Sequence, residues 1–103
     1  MLWVHWENLS GQALINECCE LEELDSYFRH SVLQPFSCLK YTYYYDDTLY
    51  NYHQTEEVEK ELSVLATIDL PETARKELHE LIAFINRIPR DGRKECILKF
   101  YGE

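Results

Sequence analysis

The sequence predicts an α+β domain: a small mixed or antiparallel sheet of about four strands with about three helices packed against it, in the order β-α-β-β-α-α-β. Three observations carry this. Leu2–Trp6 and Glu95–Tyr101, near the two ends, alternate in side-chain character with the period of two that a pleated strand imposes. Ala74, Leu78, Leu81, Ile82 and Ile85 recur with the spacing of one helix face. Between these, Ser37–Gln54 concentrates tyrosine and threonine, residues that favour pleated structure. Helices segregated beside a strand-rich framework define the α+β class.

In chain order, Leu2, Val4 and Trp6 fall on one face of a first strand and Trp3 and His5 on the other. Both faces are semi-apolar, which predicts an interior strand. Asn8-Leu9-Ser10-Gly11 reads as a turn offering two helix caps, Asn8 and Ser10. From Gln12 to about His30, Leu14, Cys18, Leu21, Leu24 and Phe28 follow helical spacing and predict a helix, with Glu17 and Asp25 intruding on its stripe. Gln34-Pro35 ends this element, because a residue before proline avoids the helical region.

Six of the eight tyrosines lie between Tyr41 and Tyr52. Alternation on either side of Asp46-Asp47 predicts a β-hairpin turning at those aspartates. Thr55-Glu56-Glu57 reads as a cap and acidic first turn, followed by a stripe of Val58, Leu62, Leu65 and Ala66. Pro71 is placed to open the next helix, predicted over Pro71–Ile88 with Leu78, Leu81, Ile82 and Ile85 turned to the core. Its other face holds Arg75, Lys76, Glu77, His79, Glu80 and Arg87. Arg90-Asp91-Gly92-Arg93 is a turn. A last strand follows, with Cys96, Leu98 and Phe100 on one face and Ile97, Lys99 and Tyr101 on the other.

At 103 residues, the chain (residues 1–103) suits a single domain. Hydrophobic residues form 46 % of it, which argues against disorder. There is no basic segment followed by a leader-like apolar stretch near Met1 and no membrane-length apolar run, so the expected location is cytoplasmic. Cys18, Cys19, Cys38 and Cys96 match no zinc spacing and read as reduced, mostly buried thiols.

The net charge is −9. Residues 1–72 hold 14 acids against 3 bases, and residues 73–103 hold 5 acids against 7 bases. Such a field disfavours direct nucleic-acid binding and steers basic proteins toward the surface.

Motifs for chemistry are missing. His79-Glu80 begins like a zinc-peptidase HExxH, but Ala83 stands where the second histidine belongs, and His79 falls on the solvent face. Three glycines, at 11, 92 and 102, build neither a Walker loop nor a dinucleotide fingerprint. A nucleophile elbow is lacking too. Cys38 and His53 could meet only across the base of the hairpin. No catalytic residue, metal site or cofactor is expected, and the chain reads as a non-enzyme.

Tyrosine beside carboxylate is good recognition chemistry: the ring supplies contact area at small entropic cost, and the acids pair with Lys and Arg of a partner. The expected partner-binding surface is therefore Tyr44, Asp46, Asp47, Tyr50, Tyr52, Glu56 and Glu57. A tyrosine-rich core with incidental exposure is the alternative. The competing surface is Glu20, Glu22 and Glu23.

As a profile of small size, acidity, aromatic–acid surface and absent catalytic motif, the chain resembles the immunity proteins of bacterial toxin systems, of the bacteriocin or contact-dependent growth-inhibition type. The resemblance implies stoichiometric binding to a cognate toxin, commonly a basic nuclease. Other readings are an acidic phage-type inhibitor that mimics nucleic acid, a small enzyme using His53 or a thiol, and an adaptor or oligomerising subunit.

Overall fold

A computed structural model describes residues 1–35, 37–42 and 47–102. In it the first strand, β1 (Leu2–Asn8), lies inside the sheet, because both of its edges find antiparallel partners. On one side is β2 (Cys19–Leu21), with Leu2 opposite Leu21 and Val4 opposite Cys19. On the other is the last strand, β4 (Cys96–Gly102), paired from Leu2–Gly102 to Asn8–Cys96. β3 (Thr48–Tyr50) adds to the far edge of β4, giving the order β2-β1-β4-β3.

Alternation decides which face is core. Leu2, Val4 and Trp6 of β1 and Leu98 and Phe100 of β4 are essentially buried. Each such side chain withdrawn from water stabilises the fold by about 1.5–3 kcal/mol. The two helices α1 (Tyr52–Leu65) and α2 (Glu72–Ile85) supply the other half of this core through Val58, Leu62 and Leu65, and through Ala74, Leu78, Leu81 and Ile85. The Trp6 indole N–H donates to the Phe84 carbonyl at 3.4 Å, so its one polar atom is satisfied. No helix among the described residues is long and apolar enough to cross a membrane.

The α+β class and a four-stranded antiparallel sheet agree with expectation, but among the described residues there are two α-helices rather than three. The predicted helix over Gln12–His30 does not form. Asn8 Oδ1 accepts the Ser10 and Gln12 N–H groups at 2.9 and 3.0 Å, Gly11 takes a φ of 83°, and the chain turns back along β1. It then gives the edge strand β2 and a single 3-10 turn, Leu24–Tyr27. In a helix Glu17, Glu20 and Glu23, and also Glu22 and Asp25, would stack as like charges three residues apart, at a cost of a few tenths of a kcal/mol per pair.

The predicted hairpin is also revised. Leu39–Tyr41, in its first arm, is a 3-10 turn, and the second arm, β3, pairs with β4. Residues 43–46 lie outside the described residues. Helix α1 starts earlier than Thr55: Asn51 is the cap, its Oδ1 accepting Gln54 N–H while Gln54 Oε1 accepts Asn51 N–H, both at 3.0 Å. This reciprocal box satisfies two orphan donors at once. Thr55 is instead buried, its hydroxyl donating to the Asn51 carbonyl. Ala66, assigned to the stripe of this helix, is its exposed C-cap.

α2 ends at Ile85 rather than Ile88, and Ile82 is only half-buried at the edge of the core. Two charged residues expected in solvent or in a turn are buried. Glu77 faces inward, and Arg93 is 1 % exposed. The Arg93 guanidinium donates to the Ile85 and Ile88 carbonyls, to Asn86 Oδ1 and to Glu59 Oε1, and lies 5.5 Å from the Trp6 ring. It thus closes the end of α2, where helix carbonyls lack intrahelical partners.

Candidate interaction surface

Of the seven residues expected to form one binding surface, the five that the structure describes are dispersed by the fold. Tyr44 and Asp46 lie outside the described residues. Tyr50 is 3 % exposed. Its hydroxyl donates to the Cys38 carbonyl at 2.7 Å and is hydrogen-bonded to the Thr42 hydroxyl, and its ring meets Phe100 edge-on. Burial pushes its phenol pKa well above the ordinary value. Tyr50 is therefore a core residue and offers no exposed anchor. Tyr52, half-buried, opens α1 with its ring against His53. Glu56 is half-buried, and Glu57 pairs with Lys60 at 3.2 Å in an exposed contact that contributes little to stability. Asp47 is exposed and reaches across to Lys99 Nζ at 3.4 Å, on the side of the sheet away from the helices.

That side carries a cluster the sequence reading left unassembled. β1 and β4 run in register, so Trp3 stands opposite Tyr101 and His5 opposite Lys99. The Trp3 and Tyr101 rings stack at 5.7 Å between centroids, and His5 tilts onto Tyr101 at 4.8 Å. His5 Nε2 and Glu7 Oε2 are 2.6 Å apart. Lys99 Nζ lies 3.6 Å from the same Glu7 oxygen and 5.6 Å from the Tyr101 centroid. Burial draws the Lys99 ammonium pKa down, but the carboxylates of Glu7 and Asp47 outweigh this and hold it above the ordinary value. Burial and neighbouring Cys18 raise the Tyr101 phenol, keeping that ring neutral. Two signals were available in the sequence: both terminal strands alternate, and their non-core positions combine aromatic and charged residues.

A second acidic surface lies where β2 meets α2. Glu20, Glu22, Glu80, Lys76 and Arg87 line an open cleft floored by Cys19, Glu77 and Phe84. Glu20, Glu22 and Glu23 are all exposed, as the competing surface requires, but they sit on an edge strand and a turn instead of a helix. Glu77 is the anchor of this region. Its carboxylate accepts the backbone N–H groups of Glu22, Glu23 and Leu24 at 2.9–3.1 Å. Glu61 does the same for Cys38 and Leu39, both at 2.9 Å. These two acids fasten coil to helix, so their charge is directed inward.

The four thiols differ in burial. Cys18 is exposed, Cys38 half-buried, and Cys19 and Cys96 buried, all as free thiols. Burial, with nearby carboxylates, pushes Cys19 up to about 12, and burial with Glu61 and Glu57 raises Cys38, which works against forming the nucleophilic thiolate. His53, its proposed partner, is exposed and packs on Tyr52. His79 is exposed on α2. Among the described residues, no three His, Cys, Asp or Glu side chains are grouped to hold a metal ion. Comparison with protein-family models, with curated proteins and with solved structures finds no match for this chain.

Proposed function

We propose that this chain acts by binding a basic protein stoichiometrically, as an immunity-type inhibitor that neutralises a cognate toxin domain. The observation that supports the reading best is how the acids divide. Glu61 and Glu77 hold backbone N–H groups and Glu59 holds buried Arg93, whereas Glu20, Glu22, Glu23, Asp47 and Glu80 remain on the surface. With a net charge of −9, these carboxylates create a field that accelerates encounter with a basic surface. Half-buried aromatics beside them supply contact area of the kind that carries binding energy.

The test begins with capture of the partner on tagged chain in its native cells, followed by calorimetry on the two purified proteins. A single basic protein binding at one-to-one stoichiometry, losing affinity as salt rises and losing its toxic activity in the complex, is the expected result. A neutral or acidic partner, affinity indifferent to salt, or self-association alone would overturn the reading.

A further inference from the structure

On the side of the sheet away from the helices, where Trp3, His5, Lys99 and Tyr101 are half-buried, a cation is already in place, and it is an intramolecular one. The Lys99 ammonium sits over the Tyr101 ring and between the carboxylates of Glu7 and Asp47. Of these groups, the half-buried π-face and the exposed Asp47 carboxylate are open to an incoming cation, whereas Glu7 is buried and paired with His5. Glu20 is exposed beside Trp3 across the β1–β2 register, so the stacked Trp3–Tyr101 pair has a carboxylate toward either edge of the sheet.

We infer that this face is the docking surface for an arginine side chain of the basic partner, and that Lys99 is a placeholder the arginine displaces. The inference rests on the protein-binding reading and gives that reading its site. A guanidinium is favoured over an ammonium here for geometric reasons. It is planar and stacks on aromatic faces, and it can grip the exposed Asp47 carboxylate through two parallel N–H bonds. Lys99 makes only point contacts, 3.4 and 3.6 Å long, at the end of a flexible stem. Displacing it exchanges two point contacts for a cation that fits the plane of the rings. The β2–α2 cleft lacks this feature: Lys76 and Arg87 stand among its carboxylates, and no stacked aromatic pair lines it.

The test uses the purified chain with two probes, the capped peptides Arg-Gly-Arg and Lys-Gly-Lys, titrated at low salt and followed by backbone and indole amide NMR shifts. The arginine peptide should move the Trp3 indole and the β1 and β4 amides and bind more tightly than the lysine peptide. Trp3→Ala and Asp47→Asn should each weaken it roughly two- to fivefold, the range for an exposed cation–π or ion-pair contact. Lys99→Met should tighten it by a similar factor, because it frees Asp47 and the ring. Circular dichroism checks that each variant is folded. Weaker or unchanged binding by Lys99→Met, or shifts centred on Glu22 and Glu80, would overturn the inference. The two claims can fail separately. A basic partner that binds while Trp3→Ala and Asp47→Asn leave its affinity unchanged sinks the face but not the protein-binding reading. Peptide binding at the face without any basic partner does the reverse.

Discussion

Replacing Glu77 with alanine removes the acceptor that ties β2 and the Leu24–Tyr27 turn to α2. Three backbone N–H groups lose their partner, those of Glu22, Glu23 and Leu24. Leu24 is fully buried, so its orphaned donor costs about 1–3 kcal/mol. Glu22 and Glu23 are exposed residues whose N–H groups can turn to water, and each loses nearer 0.5–1.5 kcal/mol, the net worth of an ordinary hydrogen bond. The sum is about 2–6 kcal/mol. Alanine returns only a few tenths through its better helix propensity. Against a total stability of about 5–15 kcal/mol this is a large loss. With a mid-range urea m-value of about 2 kcal/mol/M, the denaturation midpoint should fall by roughly 1–3 M. Glu77→Gln keeps an acceptor but turns an amide NH2 toward N–H donors, so it should fall between parent and alanine. Glu80→Ala, one turn away and exposed, is the control and should change little. An unmoved midpoint in Glu77→Ala would refute the view that this carboxylate holds the N-terminal third in place.

Leu81 is fully buried, so Leu81→Ala should cost about 2–5 kcal/mol in the same assay; an unchanged midpoint would remove this face of α2 from the core. Thiol titration of the native protein should label exposed Cys18 first and buried Cys19 far more slowly, with four thiols counted in denaturant without reductant; fewer would reveal a disulfide. Burial raises the Asp25 carboxyl above its ordinary value. The folded state therefore holds that proton more tightly, and stability falls as pH rises from the unfolded to the folded pKa. Asp25→Asn should stabilise the protein at neutral pH, with an advantage that shrinks as pH drops below the carboxylate range. A constant or growing advantage at low pH would contradict that sign.

What the sequence determined by itself was whatever a short window could express. β1 and β4 were legible because alternation is local and their core faces, Leu2-Val4-Trp6 and Cys96-Leu98-Phe100, are plainly more apolar than the opposite ones. The core of α2 was legible because five apolar residues keep one helical stripe. The start of α1 was written in the Asn51–Gln54 box but masked by an equally helix-like Thr55-Glu56-Glu57. Only the tertiary structure decided residues 12–30, since Cys19 and Leu21 answer to the free edge of β1, and the Glu22–Leu24 N–H groups to a carboxylate 53–55 residues away. It likewise turned Tyr50 inward by pairing β3 with β4, and sorted Glu61, Glu77 and Arg93 from the solvent-facing charges. Periodicity records which face of an element is apolar. Which strand edge it joins, and whether a charge meets water or a buried backbone group, depends on segments distant in the chain.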